Sequence, residues 1–258
     1  MKKLISNLVL PLFFINMLLL LGCGGDSSSE KSAKRYSRAP KKVLSEAEKE
    51  KFITPTIYYV ADYSTDKATQ CSEAAKLNLR KAKDNIVKIS VCRQVLKGCT
   101  LQGSCYLKIE GVKTLINYHK KVNGVVQFML VDRSVCKHGL GDSSDLKQSF
   151  KSMCLDPFYS VAADTSIHPL GTVIYIPAVR GTAIPDGSTH DGYFVVRDSG
   201  GNIDGRGRFD FFTGDLGLNA SNPFSSLGLG GESNFDYQVV SSSDAQAVRE
   251  RRKFPYLK

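Results

Sequence analysis

Three aspartates, Asp164, Asp198 and Asp210, stand within one stretch of the chain. Each lies beside apolar, strand-like sequence and a turn that contains glycine or proline. This pattern constrains the fold, because short strands joined by tight turns hold side chains at fixed positions over a cleft. Carboxylates that are brought together raise one another's pKa and can move protons at a glycosidic bond. We therefore expect the three aspartates to share one site.

Short apolar segments alternate with turns along most of the chain and predict strands. The predicted strands are 53–62, 86–91, 105–109, 125–131, 159–163, 172–177, 193–196, 209–212 and 235–240. A helix is predicted at 72–83, and a terminal helix in 241–258 is predicted from a capping-box match at Ser243 and Gln246. Many short strands with irregular connections favour a mainly β fold of the barrel type.

The N-terminus has the three parts of a secretory signal. Lys2 and Lys3 precede an apolar run at 8–21, and Gly22-Cys23 follow the last leucines of that run. The run is too short and too interrupted to favour a permanent membrane span. The sequence before Cys23 resembles the lipobox of bacterial lipoproteins, which implies cleavage after residues 1–22 and a lipid on Cys23.

The stretch after the signal, 23–52, is rich in Ser, Lys and Glu and has few large apolar residues. It predicts a flexible basic tether with a short helix at 45–51. A coil of this length reaches on the order of 30 Å. Gly24, rather than Asp, follows Cys23 and predicts sorting to the outer membrane, facing the periplasm, in a host with two membranes.

Six cysteines remain once Cys23 is set aside, and an even number in an exported chain predicts disulfides. Their pairing stays open, because six cysteines allow 15 connectivities. A zinc site is disfavoured, since no Cys-x-x-Cys pair is present and His119 and His138 lack ligand spacing. We expect no metal and no cofactor. The six are Cys71, Cys92, Cys99, Cys105, Cys136 and Cys154.

Basic residues outnumber acidic ones, with a formal net charge of +10. Outside the cytoplasm such an excess favours wall polymers and lipid head groups as partners, rather than nucleic acid. A solvated basic face without a partner explains the charge as well, and both interpretations stay open.

Three runs together resemble a known family, the three-aspartate or 3D domain, over about residues 158–214. They are Asp164 with Ile167-His168-Pro169-Leu170-Gly171-Thr172, then Asp198-Ser199-Gly200-Gly201, then Gly205 and Phe209-Asp210-Phe211-Phe212. The resemblance implies a six-stranded double-psi β-barrel. We place this domain at 53–240, with a disulfide-containing elaboration at 71–154.

The 3D family includes membrane-bound lytic transglycosylases, so the resemblance implies cleavage of peptidoglycan glycan strands. It assigns the catalytic acid/base to Asp210 and matches Asp198 and Asp164 to the other two aspartates. Substrate-binding residues in the matched runs would be Thr172, Ser199, Gly200 and Gly201. The family commonly has a lysine where this chain has Asp204.

A lytic transglycosylase can use one carboxyl group twice. The group protonates the bridging oxygen and then takes the proton of the muramyl 6-hydroxyl, which closes a 1,6-anhydro ring. Its pKa must therefore rise by about 2 units above the usual ~4. We expect the apolar neighbours Phe209, Phe211 and Phe212 to desolvate Asp210, and Asp198 to repel its charge. Asp164 is expected to hold a hydroxyl or a backbone amide in register.

Two other functions compete with this one. Double-psi barrels also bind polysaccharide without cutting it, so a wall-binding lipoprotein is the main alternative. An aspartic protease is suggested by Asp198-Ser199-Gly200, but Arg197 precedes the motif and no second copy follows. Each aspartate taken alone also fits a turn residue that bonds its own backbone.

Overall fold

The computed structural model describes residues 39–65, 70–82, 85–142 and 154–253, and its described part is mainly β with a few short helices. This confirms the class predicted from the sequence. The strands are β1 (Ala39–Pro40), β2 (Phe52–Tyr58), β3 (Ala61–Tyr63), β4 (Ala74–Ala82), β5 (Asn85–Cys92), β6 (Ser104–Ile109), β7 (Val112–Val122), β8 (Val125–Leu130), β9 (Ser160–Ala163), β10 (Val173–Tyr175), β11 (Tyr193–Asp198), β12 (Arg208–Phe212), β13 (Ser233–Asp236) and β14 (Gln238–Val239). The helices are α1 (Glu46–Lys49), α2 (Arg93–Gln102), α3 (Pro223–Leu227), α4 (Ser242–Arg251) and a 3₁₀ turn, Pro177–Val179.

Eight strands form one sheet in the order β1-β13-β2-β12-β9-β11-β10-β14. Its central strands pair in mixed directions: β12 runs parallel to β2 and antiparallel to β9, while β11 runs parallel to β9. One face buries an apolar core that includes Ile57, Val161, Val196 and Phe211. Because side chains alternate along a strand, the residues between these positions face the other side of the sheet.

The remaining six strands form a second sheet in the order β3-β6-β7-β8-β4-β5. A shared apolar cluster joins the two sheets. It contains Tyr58, Ala162 and Phe212 from the first sheet and Tyr106, Leu115 and Met129 from the second. The second sheet therefore packs beside β2, β9 and β12, and Asp210 lies on the last of these strands.

Three disulfides lie in and around the six-stranded sheet: Cys71–Cys92, Cys99–Cys105 and Cys136–Cys154. The first links the residue before β4 to the last residue of β5, at the open end of the β4–β5 hairpin. The second links α2 to β6. The predicted use of all six cysteines in disulfides is thereby confirmed. The pairing, which the sequence left open, connects cysteines that are neighbours in the chain order.

The helix predicted at 72–83 is wrong. This segment forms β4, which pairs antiparallel with β5 and parallel with β8. Leu77 and Leu79 are fully buried two residues apart, which is the period of a strand. Alanine, lysine and arginine gave the segment helical character, but pairing on both sides overrides that weak preference.

Residues 39–52, predicted as part of the tether, belong to the folded unit. Pro40 pairs with Ser233 through β1 and β13, and Leu44 is only 5% exposed. The short helix predicted here is confirmed as α1, which opens with a capping box between Ser45 and Glu48. Residues 1–38, including Cys23 and the first part of the predicted tether, lie outside the described residues.

The predicted terminal helix is confirmed as α4, but its predicted start is wrong. Its N-cap is Ser241 rather than Ser243, and the Ser241 hydroxyl bonds Asp244. The side chain of Gln246 instead donates to Glu250. The helix packs its Ala245 and Val248 against β10 and β11. Within the described ranges, no helix is long and apolar enough to cross a membrane.

Candidate active site

Four residues form one row across the middle of the eight-stranded sheet. Thr56 on β2 pairs with Asp210 on β12, Asp210 pairs with Ala162 on β9, and Ala162 pairs with Asp198 on β11. Residues in such a row face the same side of a sheet. Ala162 belongs to the cluster between the two sheets, so both aspartates lie on the face that the second sheet flanks.

A β-bulge places Asp198 in this row. The pairing of β11 with β9 passes from Val196 opposite Val161 to Asp198 opposite Ala162, so Arg197 is an extra residue. A bulge restarts the alternation of side chains. Without it, Arg197 would stand opposite Ala162 and Asp198 would face the apolar core.

Asp210 is half-buried and receives a hydrogen bond from the Thr56 hydroxyl to its Oδ1, at 2.7 Å. Burial raises the pKa of the Asp210 carboxyl, although the Thr56 hydrogen bond and the Arg208 charge both oppose the shift. No hydrogen bond reaches Oδ2 from any residue in the described ranges. This oxygen is therefore the one that can hold and deliver a proton.

Asp198 uses both of its carboxylate oxygens. Its Oδ1 accepts from the Ser199 backbone amide at 2.9 Å, and its Oδ2 accepts from the Tyr58 hydroxyl at 3.1 Å. Burial raises the pKa of Asp198 to about 7, and the negative charges of Asp142 and Asp210 add to the shift. The carboxyl therefore exchanges its proton close to neutral pH.

Tyr58 reaches Asp198 from the far side of the row, since β2 and β11 are separated by β12 and β9. The contact shows that the sheet curls around this face, because the strands would stand about 14 Å apart in a flat sheet. The Tyr58 ring packs on Phe212, with centroids 5.1 Å apart. Burial raises the pKa of Tyr58 well above its usual value, so the hydroxyl stays protonated and donates.

A fourth carboxylate, Asp142, approaches from the loop after the second sheet. The Ser199 hydroxyl donates to Asp142 Oδ2 at 2.7 Å, and the Asp142 amide donates to the Arg197 carbonyl at 3.1 Å. The approach depends on Gly141, where a Cβ would lie 2.0 Å from the Arg197 carbonyl oxygen. Asp142 thus holds a negative charge beside Asp198.

The side chain of Arg197, the extra residue of the bulge, is buried. Its Nη1 lies 3.8 Å from the Asp156 carboxylate and 3.2 Å from the Ser160 hydroxyl. Burial lowers the pKa of Arg197 to about 9 and raises the pKa of Asp156. The pair joins the bulge to the segment before β9, and so fixes β11 where Asp198 leaves it.

Asp164 lies just after β9 and binds loops instead of joining the row. Its Oδ1 accepts from the amide and the hydroxyl of Ser166, and its Oδ2 accepts from the Gly205 amide at 2.9 Å. These hydrogen bonds lower the pKa of Asp164, with the Ser166 hydroxyl contributing most. These contacts agree with the expectation that Asp164 holds a hydroxyl or a backbone amide, and its role in catalysis stays a prediction.

The residues predicted to bind substrate lie in two loops. Thr172 accepts through its carbonyl from the Val196 amide, beside β11. Ser199 is exposed, and Gly200 begins a tight turn in which a Cβ would lie 2.7 Å from Ile203. Gly201 faces open space, since no atom lies within 4 Å of its Cβ position.

The expected desolvation of Asp210 by its phenylalanine neighbours is only partly right. Phe209 and Phe211 pack into the core on the opposite face of β12, while Phe212 belongs to the cluster between the sheets. Strand alternation separates adjacent side chains in this way. The charge of Asp198 was expected to raise the pKa of Asp210. Instead, the charge of Asp210 raises the pKa of Asp198.

Sequence reasoning missed Thr56, Tyr58, Asp142 and the bulge at Arg197. Thr56 and Tyr58 are polar residues two apart in a predicted strand, but nothing in the sequence pairs that strand with β12. The arginine inside Val-Val-Arg-Asp was a usable signal, since a charged residue in a buried run requires a partner or a bulge. In the described ranges, no group of three or more acidic, His or Cys side chains is arranged to hold a metal ion.

Comparison with solved structures finds lytic transglycosylases at low sequence identity. E. coli MltA with bound chitohexaose is 14% identical with a TM-score of 0.44, and the match covers 74% of this chain and 72% of MltA. A membrane-bound lytic murein transglycosylase from Agrobacterium tumefaciens is 14% identical with a TM-score of 0.43, covering 81% and 77%. LtgG of Burkholderia pseudomallei is 14% identical with a TM-score of 0.35, covering 72% and 70%.

No curated protein sequence matches the chain. The family model described as the 3D domain matches residues 159–221. This range begins at β9 and contains Asp164, Asp198 and Asp210. The chain therefore contains a 3D domain, as the three aspartate-bearing runs predict.

Proposed function

We propose that the protein is a peptidoglycan lytic transglycosylase whose acid/base is Asp210. The observation that carries this proposal is the row in which Asp198 and Asp210 flank Ala162, both with a raised pKa. A raised pKa favours the protonated carboxyl group that donation of a proton to a glycosidic oxygen requires.

The hydrogen bonds of the two aspartates indicate which of them donates the proton. Asp198 has both oxygens engaged, whereas Asp210 Oδ2 has no hydrogen-bond partner in the described part of the chain. Asp210 therefore delivers its proton from Oδ2 to the bridging oxygen and becomes a carboxylate. The same oxygen then takes the proton of the muramyl 6-hydroxyl, and that hydroxyl oxygen bonds the anomeric carbon to close the 1,6-anhydro ring.

Asp198 acts on Asp210 as an electrostatic neighbour. Because its own pKa is about 7, it is partly neutral at the working pH, and its charge responds to that of Asp210. Tyr58 and Ser199 hold its orientation through hydrogen bonds to the two oxygens. Asp164 positions the loop at Gly205, which leads into β12 and Asp210.

Substrate would lie across the loops that follow β11. Ser199 and Gly201 are exposed, and the open space at Gly201 leaves room for a sugar ring at the turn. Gly200 keeps this turn tight, and Thr172 supports β11 from the adjacent loop. We place the glycan strand between these loops and the second sheet.

The architecture proposed next is the one that the resemblance to the 3D domain implies. We propose that the domain at 53–240 contains a six-stranded double-psi barrel within the eight-stranded sheet. The elaboration at 71–154 would form the other wall of the cleft. The apolar cluster shared by the two sheets supports this arrangement. The signal at 1–22 and lipidation at Cys23 would place the domain in the cell envelope, at the periplasmic face of an outer membrane.

Digestion of purified sacculi by the protein tests the proposal. Mass spectrometry of the released fragments is expected to find 1,6-anhydromuramyl ends. Muramyl ends that carry a free reducing group would instead indicate hydrolysis. Binding to sacculi without any release would favour a polysaccharide-binding lipoprotein.

A further inference from the structure

A cleft of about 520 Å³, lined in part by Thr54 on β2 and Arg208 on β12, is strongly basic. Five cations and one acid line it: Lys41, Lys42, Lys49, Arg206, Arg208 and Asp204. Such a concentration of like charge is unfavourable unless counter-charges or a ligand offset it. The distribution of partners among the five cations therefore indicates what the cleft can bind.

Three of the five cations are already paired. Lys42 forms an ion pair with Glu48. Lys49 Nζ lies 2.6 Å from Glu46 Oε1, and Arg206 Nη1 lies 3.1 Å from Glu50 Oε2. In contrast, neither Lys41 nor Arg208 has a carboxylate within 4.0 Å in the described ranges. The cleft thus keeps two cations available for an anion.

Arg208 fixes the inner end of the cleft. Its Nη1 donates to the carbonyls of Phe209 and Thr54, at 2.8 and 3.4 Å, which holds the half-buried side chain along β12. An arginine held in this way loses little conformational freedom when it binds an anion. Lys41 lies at the exposed end of the cleft, and no carboxylate in the described ranges pairs with its ammonium group.

The cleft adjoins the proposed acid/base. Arg208 pairs with Thr54 in the same register that pairs Asp210 with Thr56, two residues further along both strands. Residues two apart on a strand share a face and lie about 7 Å apart. The Arg208 end of the cleft therefore adjoins Asp210, and the charge of Arg208 acts on the Asp210 carboxyl by lowering its pKa.

We infer that this cleft binds the carboxylates of the peptide stem attached to the muramyl residue that is cleaved. The inference rests on the proposed function, in which the scissile bond lies at a muramyl residue. That sugar carries the peptide on its lactyl group, so the first free carboxylates of the stem fall beside the reacting bond. The cleft thereby selects glycan strands that bear peptides over bare strands.

A variant at Asp204 is expected to strengthen binding of the peptide stem, whereas a variant at Lys41 is expected to weaken it. Asp204 is the only carboxylate among the described residues that line the cleft, and it is exposed. Its negative charge opposes an incoming carboxylate and weakens the binding of the stem. Neutralising it is therefore expected to strengthen binding, whereas reversing the charge of Lys41 weakens it.

Binding of defined glycan strands tests the inference without requiring turnover. Strands of one length are prepared with intact stems, with stems whose carboxylates are amidated, and with stems removed by an amidase. Binding is measured at low salt in an Asp210→Asn background. We expect intact strands to bind the most tightly, and added salt to reduce that advantage.

The variants use a matched charge control. Lys41→Glu is expected to weaken binding of intact strands by about threefold or more and Asp204→Asn to strengthen it, with little change for amidated or bare strands. Lys121→Glu makes the same charge change at an exposed position on β7 and is expected to leave binding unchanged. Melting curves confirm that the variants fold.

Equal binding of the three kinds of strand, or an equal effect of Lys41→Glu and Lys121→Glu, would overturn the inference. These results are independent of cleavage. A protein that releases anhydromuropeptides but binds bare strands equally well contradicts the inference alone. A protein that binds stems through Lys41 but never cleaves contradicts the proposed function alone.

Discussion

Asp198 and Asp210 lie on either side of Ala162, in one row across three neighbouring strands. Their backbones are about 10 Å apart in such a row, and both side chains lie on the same face of the sheet. Each carboxylate is half-buried, and the charge of Asp210 contributes to the raised pKa of Asp198. The charge of Asp210 therefore adds to the proton affinity of Asp198.

Asp198→Asn is expected to stabilise the fold at alkaline pH. The folded pKa of Asp198, about 7, exceeds the usual 3.8, so its contribution to stability is full below pH 3.8 and is lost as the pH rises through 7. Asparagine does not ionise and escapes this loss. We expect the free energy of unfolding of the variant, relative to wild type, to gain on the order of 2 kcal/mol between pH 4 and pH 8, measured by urea denaturation.

Asp164→Asn serves as the control of opposite sign. Hydrogen bonds lower the pKa of Asp164, so its contribution is present above the usual value and is lost as the pH falls through the folded pKa. The variant should be destabilised at neutral pH and less so in acid. If the free energies of unfolding of the two variants, relative to wild type, changed with pH in the same direction, the pKa shifts assigned to Asp198 and Asp164 would be wrong.

Asp142→Asn is expected to lower the pKa of Asp198. The charge of Asp142 is one cause of the raised value, and the Ser199 hydroxyl links the two residues. Carbon-detected NMR titration of the Asp198 carboxyl should give a midpoint below the wild-type value of about 7. Asp132→Asn, in an exposed turn, is the matched control and should leave the midpoint in place. An unchanged midpoint in Asp142→Asn would show that Asp142 does not act on the pair.

The disulfide pairing can be read directly by peptide mapping without reduction. We expect three cross-linked products, joining Cys71 to Cys92, Cys99 to Cys105 and Cys136 to Cys154. The β4–β5 hairpin brings the first pair together, since Ala74 lies opposite Cys92 at its open end. Any other pairing, or free thiols in the purified protein, would contradict the structure of the second sheet.

Lipidation at Cys23 remains a prediction from the sequence alone. Cys23→Ala should prevent attachment of the lipid and release the protein from the membrane fraction, which fractionation and immunoblotting would detect. Cys71→Ala, which removes a cysteine without touching the lipobox, is the matched control and should stay in the membrane fraction. Unchanged membrane association of Cys23→Ala would refute the lipoprotein assignment.

The sequence was most informative where local pattern and tertiary contact agree. The strands β9 to β12 were predicted nearly at their observed bounds, because short apolar runs between glycine turns have few other conformations. β4 shows the opposite case. Its alanine, lysine and arginine residues favour a helix locally, and only pairing with β5 and β8 makes it a strand.

The site was predictable only in part for a similar reason. The three aspartates were found, but their separation into a pair, Asp198 with Asp210, and a loop-binding residue, Asp164, depends on strand register and on the bulge at Arg197. Asp142 comes from a loop far away in the sequence. Its position beside Ser199 follows from how the second sheet packs on the first, which no local pattern encodes.

Turnover of purified sacculi by Asp210→Asn tests the central claim most directly. Asparagine keeps the size and the hydrogen bond from Thr56 but cannot donate and reclaim a proton. We expect release of anhydromuropeptides to fall by about 10²–10⁴-fold, while sacculus binding and the melting curve stay unchanged. Wild-type release of anhydromuropeptides by Asp210→Asn would contradict the assignment of Asp210 as the acid/base.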